Sequence, residues 1–283
     1  MNALEITSCL EFGLIYGIMA VGIFLTFRMI DFPDMTCDGS FVLGGAISGI
    51  LIKSGCNPWI ALCASAFGGA LAGLATGLVH SLFKISNLLS GILVAFMLYS
   101  INIRIMGGLP NISLIGATTI FSNVRPMYLL PIICFAVVLK FIWLLATDFG
   151  LGIRSIGQNK ITATNYGINI AVVSTIVLML SNALISLSGA LLNQHQCFVD
   201  ISQGVGTLVV GLAAVMIGEK LFPARSCFLL IPACVVGSIV YRIFIAFALH
   251  SEIFGLETQD LNLLTGLLII FAMAIPKIRR KAC

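Results

Sequence analysis

The chain has 283 residues, of which 59% are hydrophobic and 9% charged, with a formal net charge of +4 and a mean hydropathy of +1.12. Soluble domains carry roughly 25% charged residues, so this composition excludes a water-soluble globular fold and points to an integral membrane protein. The apolar stretches are continuous rather than alternating, which excludes a β-barrel, and the small net charge supplies no reason to expect nucleic acid as a partner.

In chain order, apolar segments cover residues 12–27, 38–52, 58–80, 88–105, 127–146, 170–192, 204–218, 226–249 and 262–276. A spanning helix needs about 20 residues, and the second, seventh and ninth segments fall short of that. The predicted fold is therefore an all-α integral membrane protein of one domain over 1–283, with about eight or nine transmembrane helices, some of them short or broken. Glu5 and Glu11 precede the first segment where a cleavable signal would carry basic residues. The nine cysteines sit singly in apolar runs without a CxxC pair and read as small packing residues.

Loop charge predicts the orientation. Lys277, Arg279, Arg280 and Lys281 place the C-terminus in the cytoplasm, and counting back places Lys84, the loop 147–169 and the Lys220/Arg225 loop on the same side. The acidic stretch with Glu252, Glu257 and Asp260 then lies outside, as does the N-terminus. The first segment passes through "DFPDMTCDGSFVLGGAISG" into a short Gly-rich segment, and the sixth passes through "HQCFVDISQGVGTLVVGLAA" into another. With nine spans these two pairs run in opposite directions, the pattern of an inverted repeat around a pathway; chance coincidence in a chain with 28 glycines is the other reading.

Three aspartates, Asp31, Asp34 and Asp38, fall within eight residues after the first segment. Such a cluster can bind cations or relay protons. The simpler reading has Asp38 capping the short second helix, with Asp31 and Asp34 solvated near Arg28. Arg104 and Arg242 lie inside span ends, where an ionisable group either lines a pathway or snorkels. Phe41, Phe96 and Tyr99 can stack an aromatic solute or simply pack; Asn102, Asn182 and Thr207 can face a solute or bond a neighbouring helix. These seven positions, Phe41, Phe96, Tyr99, Asn102, Asn182, Thr207 and Arg242, are the candidate pathway residues. Gly69, Gly73 and Gly77 form a small-residue stripe that suits a dimer face or an internal contact equally. His80, His195 and His250 are isolated, and no metal spacing is present.

The polar stretch "GIRSIGQNKITATNYGIN", Gly152 to Asn169, interrupts two spans. Gly157 is suited to a left-handed helix stop, Asn159 to capping a short helix over residues 160–166, Gly167 to stopping it and Asn169 to capping the next span. An isolated two-turn helix is unstable in water, so it is either a capped turn or an element that docks on a partner. The stretch resembles the cytoplasmic loop of ABC importer permeases for branched-chain amino acids and ribose-type sugars. The likeness rests on Arg154, Ser155, Ile156, Gly157, Asn159, Ala163 and Gly167-Ile168-Asn169, with Thr164 where a second Ala is usual. "SLSGALLNQ", "GVGTLVVGLAAVMIGEKLF" and "LIYGIMAVGIFLTFRMIDFPD" resemble the same family. "LLSGILVAFMLYSINIRIMGGLPNISL" resembles a narrower branch of small bacterial permeases proposed to carry aromatic amino acids.

The resemblance implies a non-enzymatic permease subunit of the bacterial inner membrane, working as a homodimer with an extracytoplasmic solute-binding protein and two ATPase subunits. In that family the loop is a coupling helix seated in the ATPase, and here it would use Arg154, Ser155, Ile156, Gly157, Gln158, Asn159, Lys160, Ala163, Thr164 and Gly167. The chain lacks GxxxxGK[ST], so no nucleotide or other cofactor is expected in it, and ATP with Mg would belong to the partner. An ion-coupled secondary transporter using Asp31, Asp34 and Asp38 is the alternative; a membrane-embedded enzyme finds no supporting His and carboxylate constellation.

Overall fold

The computed structural model describes residues 3–122, 124–222, 227–250 and 265–266. The basic tail, the Glu252–Asp260 stretch, Arg225 and nearly all of the 262–276 segment lie outside the described residues.

Among the described residues ten helices follow one another: α1 (Ala3–Ile23), α2 (Thr36–Lys53), α3 (Pro58–Phe83), α4 (Asn87–Ile105), α5 (Pro126–Ala146), α6 (Asp148–Gln158), α7 (Lys160–Asn165), α8 (Ile170–Gln196), α9 (Thr207–Leu221) and α10 (Cys227–His250). A π-helical turn, Phe24–Met29, extends α1, and two three-residue strands, β1 (Asn111–Ser113) and β2 (Phe198–Asp200), pair antiparallel with Ile112 opposite Val199. Among the described residues, seven segments are long and apolar enough to cross a membrane. This is the all-α membrane fold that the composition predicts. Helix starts follow local chemistry: Asn57 caps α3 by accepting from Trp59 N, with Pro58 at the first helical position, and Asn169 caps α8 by accepting from Val172 N.

α8 is the centre of the bundle, and small polar residues hold its neighbours. Its Ser181 and Ser188 hydroxyls donate to Gly22 O and Ile15 O of α1 at 2.7 Å, and Ser186 donates to Ser65 O of α3 at 2.6 Å. These pairings make α1 and α3 antiparallel to α8. Gly69, Gly73 and Gly77 of α3 abut Asn182 O, Leu178 O and Thr175 of α8. The stripe is thus an internal contact, where side chains on α3 would hold the backbones apart.

Two short helices have their N-termini at the same level inside the bundle. α2 runs parallel to α8, with Gly44 against Ser186 and Gly45 against Asn193, and its first turn carries Asp38. α9 antiparallels α10, with Gly218 against Ala233 and Gly237 against Ala214. α10 in turn antiparallels α1, with Gly13 against Ile239 and Gly17 against Val235, so α9 runs parallel to α1. Each long helix, α1 and α8, is therefore followed by a return segment and a short helix pointing back the way the long one came. The two short helices run in opposite directions from their meeting point.

Candidate functional site: a polar junction, two cavities and an exposed two-turn helix

The junction of α2 and α9 is made by Asp38. Its carboxylate accepts from Thr207 Oγ1 at 2.8 Å, Leu208 N at 2.9 Å and Gly206 N at 3.3 Å. Asp38 therefore caps α9, about 170 residues away in the chain, rather than α2 as the sequence predicts. The positive end of the α9 dipole and three donors reward a carboxylate there. Gly206, at φ +82°, supplies the turn into α9 that a side chain would strain.

Asp34 is the residue that serves the start of α2. Its Oδ1 accepts from Thr36 N at 2.9 Å and its Oδ2 from Asn182 Nδ2 at 2.7 Å. It is fully buried rather than solvated, because the return segment after α1 folds back into the bundle against α8. Asp31 alone is exposed, at φ +50°. Asn182 Nδ2 also reaches Leu178 O at 3.0 Å, so this amide joins α8 to the return segment.

Two cavities flank the stretch that leads into α9, and Val205 lines both. One, of about 340 Å³, is lined by Asp38, Tyr99, Asn102 and Ser202 among others. Asn102 donates to Gly39 O at 3.1 Å, while its Oδ1 is buried without a partner. The other, of about 390 Å³, is lined by Tyr16, Gln203, Thr207, Tyr241 and Arg242 among others. Of the seven candidate pathway residues, the structure brings Tyr99 and Asn102 to the first cavity and Thr207 and Arg242 to the second. Phe41 is buried behind the second, its ring stacked 5.9 Å from that of Tyr16. Phe96 projects from α4 and is 73% exposed, and Asn182 is buried on α8, where it bonds Asp34. Gln203 was not foreseen; in the sequence it is one of several polar side chains, with Asp200 and Ser202, in the return segment after α8.

At the opposite end of α8 from the strands, α6 and α7 form a capped, bent arm. Asn159 Oδ1 accepts from Ile161 N and Thr162 N at 2.9 and 3.2 Å, starting α7. Gly167, at φ +80°, receives the chain after it, and Asn169 caps α8. Three of the four predicted caps and stops take those positions. Gly157 does not: it lies within α6, not in the left-handed region. It is small because Met29 O of the π-helical turn occupies the space a Cβ would need.

The ten coupling positions divide by exposure. Ile156 and Ala163 are buried, Arg154 and Ser155 half-buried, and Gly157, Gln158, Asn159, Lys160, Thr164 and Gly167 exposed. Ser155 donates to Gly152 O at 2.7 Å. Arg154 turns inward, donating to Leu145 O at 3.1 Å and Gly150 O at 3.3 Å with its guanidinium 5.1 Å from the Phe228 ring. It thereby ties α6 to the end of α5. Ile161 and Tyr166, at 75% and 80% exposed, are the large apolar groups that α7 presents outward. Neither stood out in the sequence, since residues 160–166 are too few to show a periodicity.

Three comparisons bear on this arrangement. Residues 6–273 match the family described as branched-chain amino acid transport system / permease component. The chain is 40% identical over 270 residues to a tyrosine transport system permease protein of Clostridioides difficile (strain R20291), covering 95% of this chain and 90% of that one. It is 31% identical over 278 residues to an uncharacterized protein of Rickettsia prowazekii (strain Madrid E), covering 95% and 97%. Two solved structures share the fold at low identity. PsaBC from Streptococcus pneumoniae in complex with Fab aligns with TM-score 0.56 at 14% identity over 93% of this chain and 89% of that one. An inward-facing conformation of a metal-chelate type ABC transporter aligns with TM-score 0.52 at 16% identity over 96% and 86%.

Proposed function

The chain belongs to the permease-component family of branched-chain amino acid transport systems, and from that premise we propose that it is the membrane subunit of an ATP-driven importer for an amino acid, an aromatic one such as tyrosine. The named relative and the resemblance of residues 88–114 both favour that solute. The subunit does no chemistry itself. It pairs with a second copy, receives solute from an extracytoplasmic binding protein and is driven by two ATPase subunits that hold the ATP and Mg.

The observation that carries this reading is α7: a two-turn helix fixed by Asn159 and Gly167, its Ala163 buried against the core and its Ile161 and Tyr166 outward. A helix this short is held by its surroundings, and exposed apolar groups beyond the spans suit a protein partner. Gly157 against Met29 gives the arm a contact with the end of α1, where Arg28 pairs with Glu219 of α9 at 2.8 Å. Movement of α7 thus has a packed route to α1 and α9. The end of the bundle bearing α6 and α7 also carries Arg28, Lys84, Lys140, Lys160 and Lys220, which favours a cytoplasmic location. An ion-coupled mechanism draws less support, since Asp31, Asp34 and Asp38 share no partner and do not converge.

In proteoliposomes holding the permease, its ATPase and the loaded binding protein, Tyr166→Asp or Ile161→Asp is expected to lower solute-stimulated ATP hydrolysis by about tenfold or more, the cost of burying a charge at an apolar interface. Hydrolysis and uptake equal to those of the unchanged chain would overturn the assignment of α7 as the coupling element.

A further inference from the structure

Among the described residues, the larger cavity contains a cation without a counter-ion and a carbonyl oxygen without a donor. Arg242, on α10, lies with its guanidinium carbon 4.0 Å from the Tyr16 ring centroid and 5.5 Å from that of Phe12, both on α1. Its Nε is buried and has no hydrogen-bond acceptor. Among the described residues no carboxylate lies within ion-pair distance of it, and the nearby Glu11 is bonded to His195 Nε2 at 2.8 Å. The two aromatic faces orient the guanidinium without neutralising it. A charged group held inside a spanning bundle without a counter-ion is costly, and such groups mark ligand paths.

In the lining of the same cavity, Gln203 Nε2 donates to Gln196 Oε1 at 3.1 Å. That leaves Gln203 Oε1 buried with no donor. One cavity thus offers a fork-shaped cation that needs an anion and a carbonyl oxygen that needs an N–H. A carboxylate suits the guanidinium, and an ammonium suits the amide oxygen. The two together are the head of a free α-amino acid. Phe12, Val210 and Ile245 supply apolar wall for its side chain, and about 390 Å³ is within the usual range for a small-molecule site.

We propose that this cavity is a binding site within the permease for the head group of the transported amino acid, with Arg242 holding the α-carboxylate and Gln203 the α-ammonium. The proposal rests on the importer reading above. Val205 lines both this cavity and the one at Tyr99 and Asn102, and Gly206 and Thr207 line this one, so the bound solute lies beside the capped start of α9.

The test uses the permease–ATPase complex in phosphatidylcholine nanodiscs without the binding protein. Binding of labelled L-tyrosine is competed with tyramine, which lacks the carboxylate, and with 3-(4-hydroxyphenyl)propionate, which lacks the ammonium. The unchanged complex is expected to prefer tyrosine to each analogue by about tenfold or more. Arg242→Gln should abolish the preference over tyramine and keep that over the propionate; Gln203→Leu should do the reverse. Arg242→Lys should keep part of the first preference. If both variants weaken all three ligands in proportion, the residues are structural and the proposal is overturned. Absence of saturable tyrosine binding overturns it as well. The proposal also fails if phosphatidylglycerol added to the nanodiscs displaces tyrosine from the unchanged complex but does not bind the Arg242→Gln complex, because the anion is then a lipid head group. ATP-dependent uptake is measured separately with the binding protein present. If no amino acid is taken up, the importer reading fails; uptake without the selectivity change sinks only the head-group site.

Discussion

Asp38 shows how one residue can serve an element remote from it in sequence. It stands in the first turn of α2, yet its three acceptor bonds all go to the start of α9. Removing an N-cap acceptor costs about 0.5–2 kcal/mol, and here the donors left behind are inside the bundle, which puts the loss at the upper end. Asp38→Ala is expected to lower the thermal midpoint of the purified permease, with Asp38→Asn falling between the two because one amide oxygen still accepts. A midpoint unchanged in Asp38→Ala would show that water replaces the carboxylate. Arg154 is a second case: a basic residue in a polar stretch reads as a surface contact, but its guanidinium is occupied by Leu145 O and Gly150 O.

At the scale of the element, the arm formed by α6 and α7 was legible from single residues. Asn159 and Asn169 cap helices, and Gly167 takes a positive φ, because each preference is set by the local backbone. Gly167→Val places a β-branched side chain at φ +80°, a strain of about 1–2 kcal/mol. Nothing crowds that position, so the spans should remain assembled while the arm shifts. The expected result is a permease that purifies normally but shows reduced solute-stimulated ATP hydrolysis; full stimulation would mean that the angle of the arm is immaterial to coupling. Gly157 was misread because its requirement is tertiary. Its smallness answers to Met29, some 130 residues earlier in the chain.

For the molecule as a whole, the paired order of long helix, return segment and short helix gives the two halves opposite directions around the Asp38 junction. The strands and the α6–α7 arm lie at opposite ends of α8. Ser113→Cys and Tyr166→Cys, both at exposed positions, report the orientation. A membrane-impermeant maleimide added to intact cells should label the Ser113→Cys chain above the parent level and leave Tyr166→Cys at that level until the membrane is opened. The opposite pattern would invert the proposed topology and separate α7 from any cytoplasmic ATPase.

The sequence alone determined the solvent of this protein, the rough limits of the apolar helices among the described residues, and the caps and stop of the α7 arm. Each of those depends on composition or on backbone preferences within a few residues. It also showed the matching short segments of the two halves, because missing length is visible without contacts. Only the tertiary structure decided which helix Asp38 caps, that the Gly69–Gly77 stripe faces α8, and that Arg242 and Gln203 share one cavity. Those facts join residues between 39 and about 170 positions apart. No local preference encodes such a pairing; it follows from how the helices pack, and close packing leaves few partners free to meet.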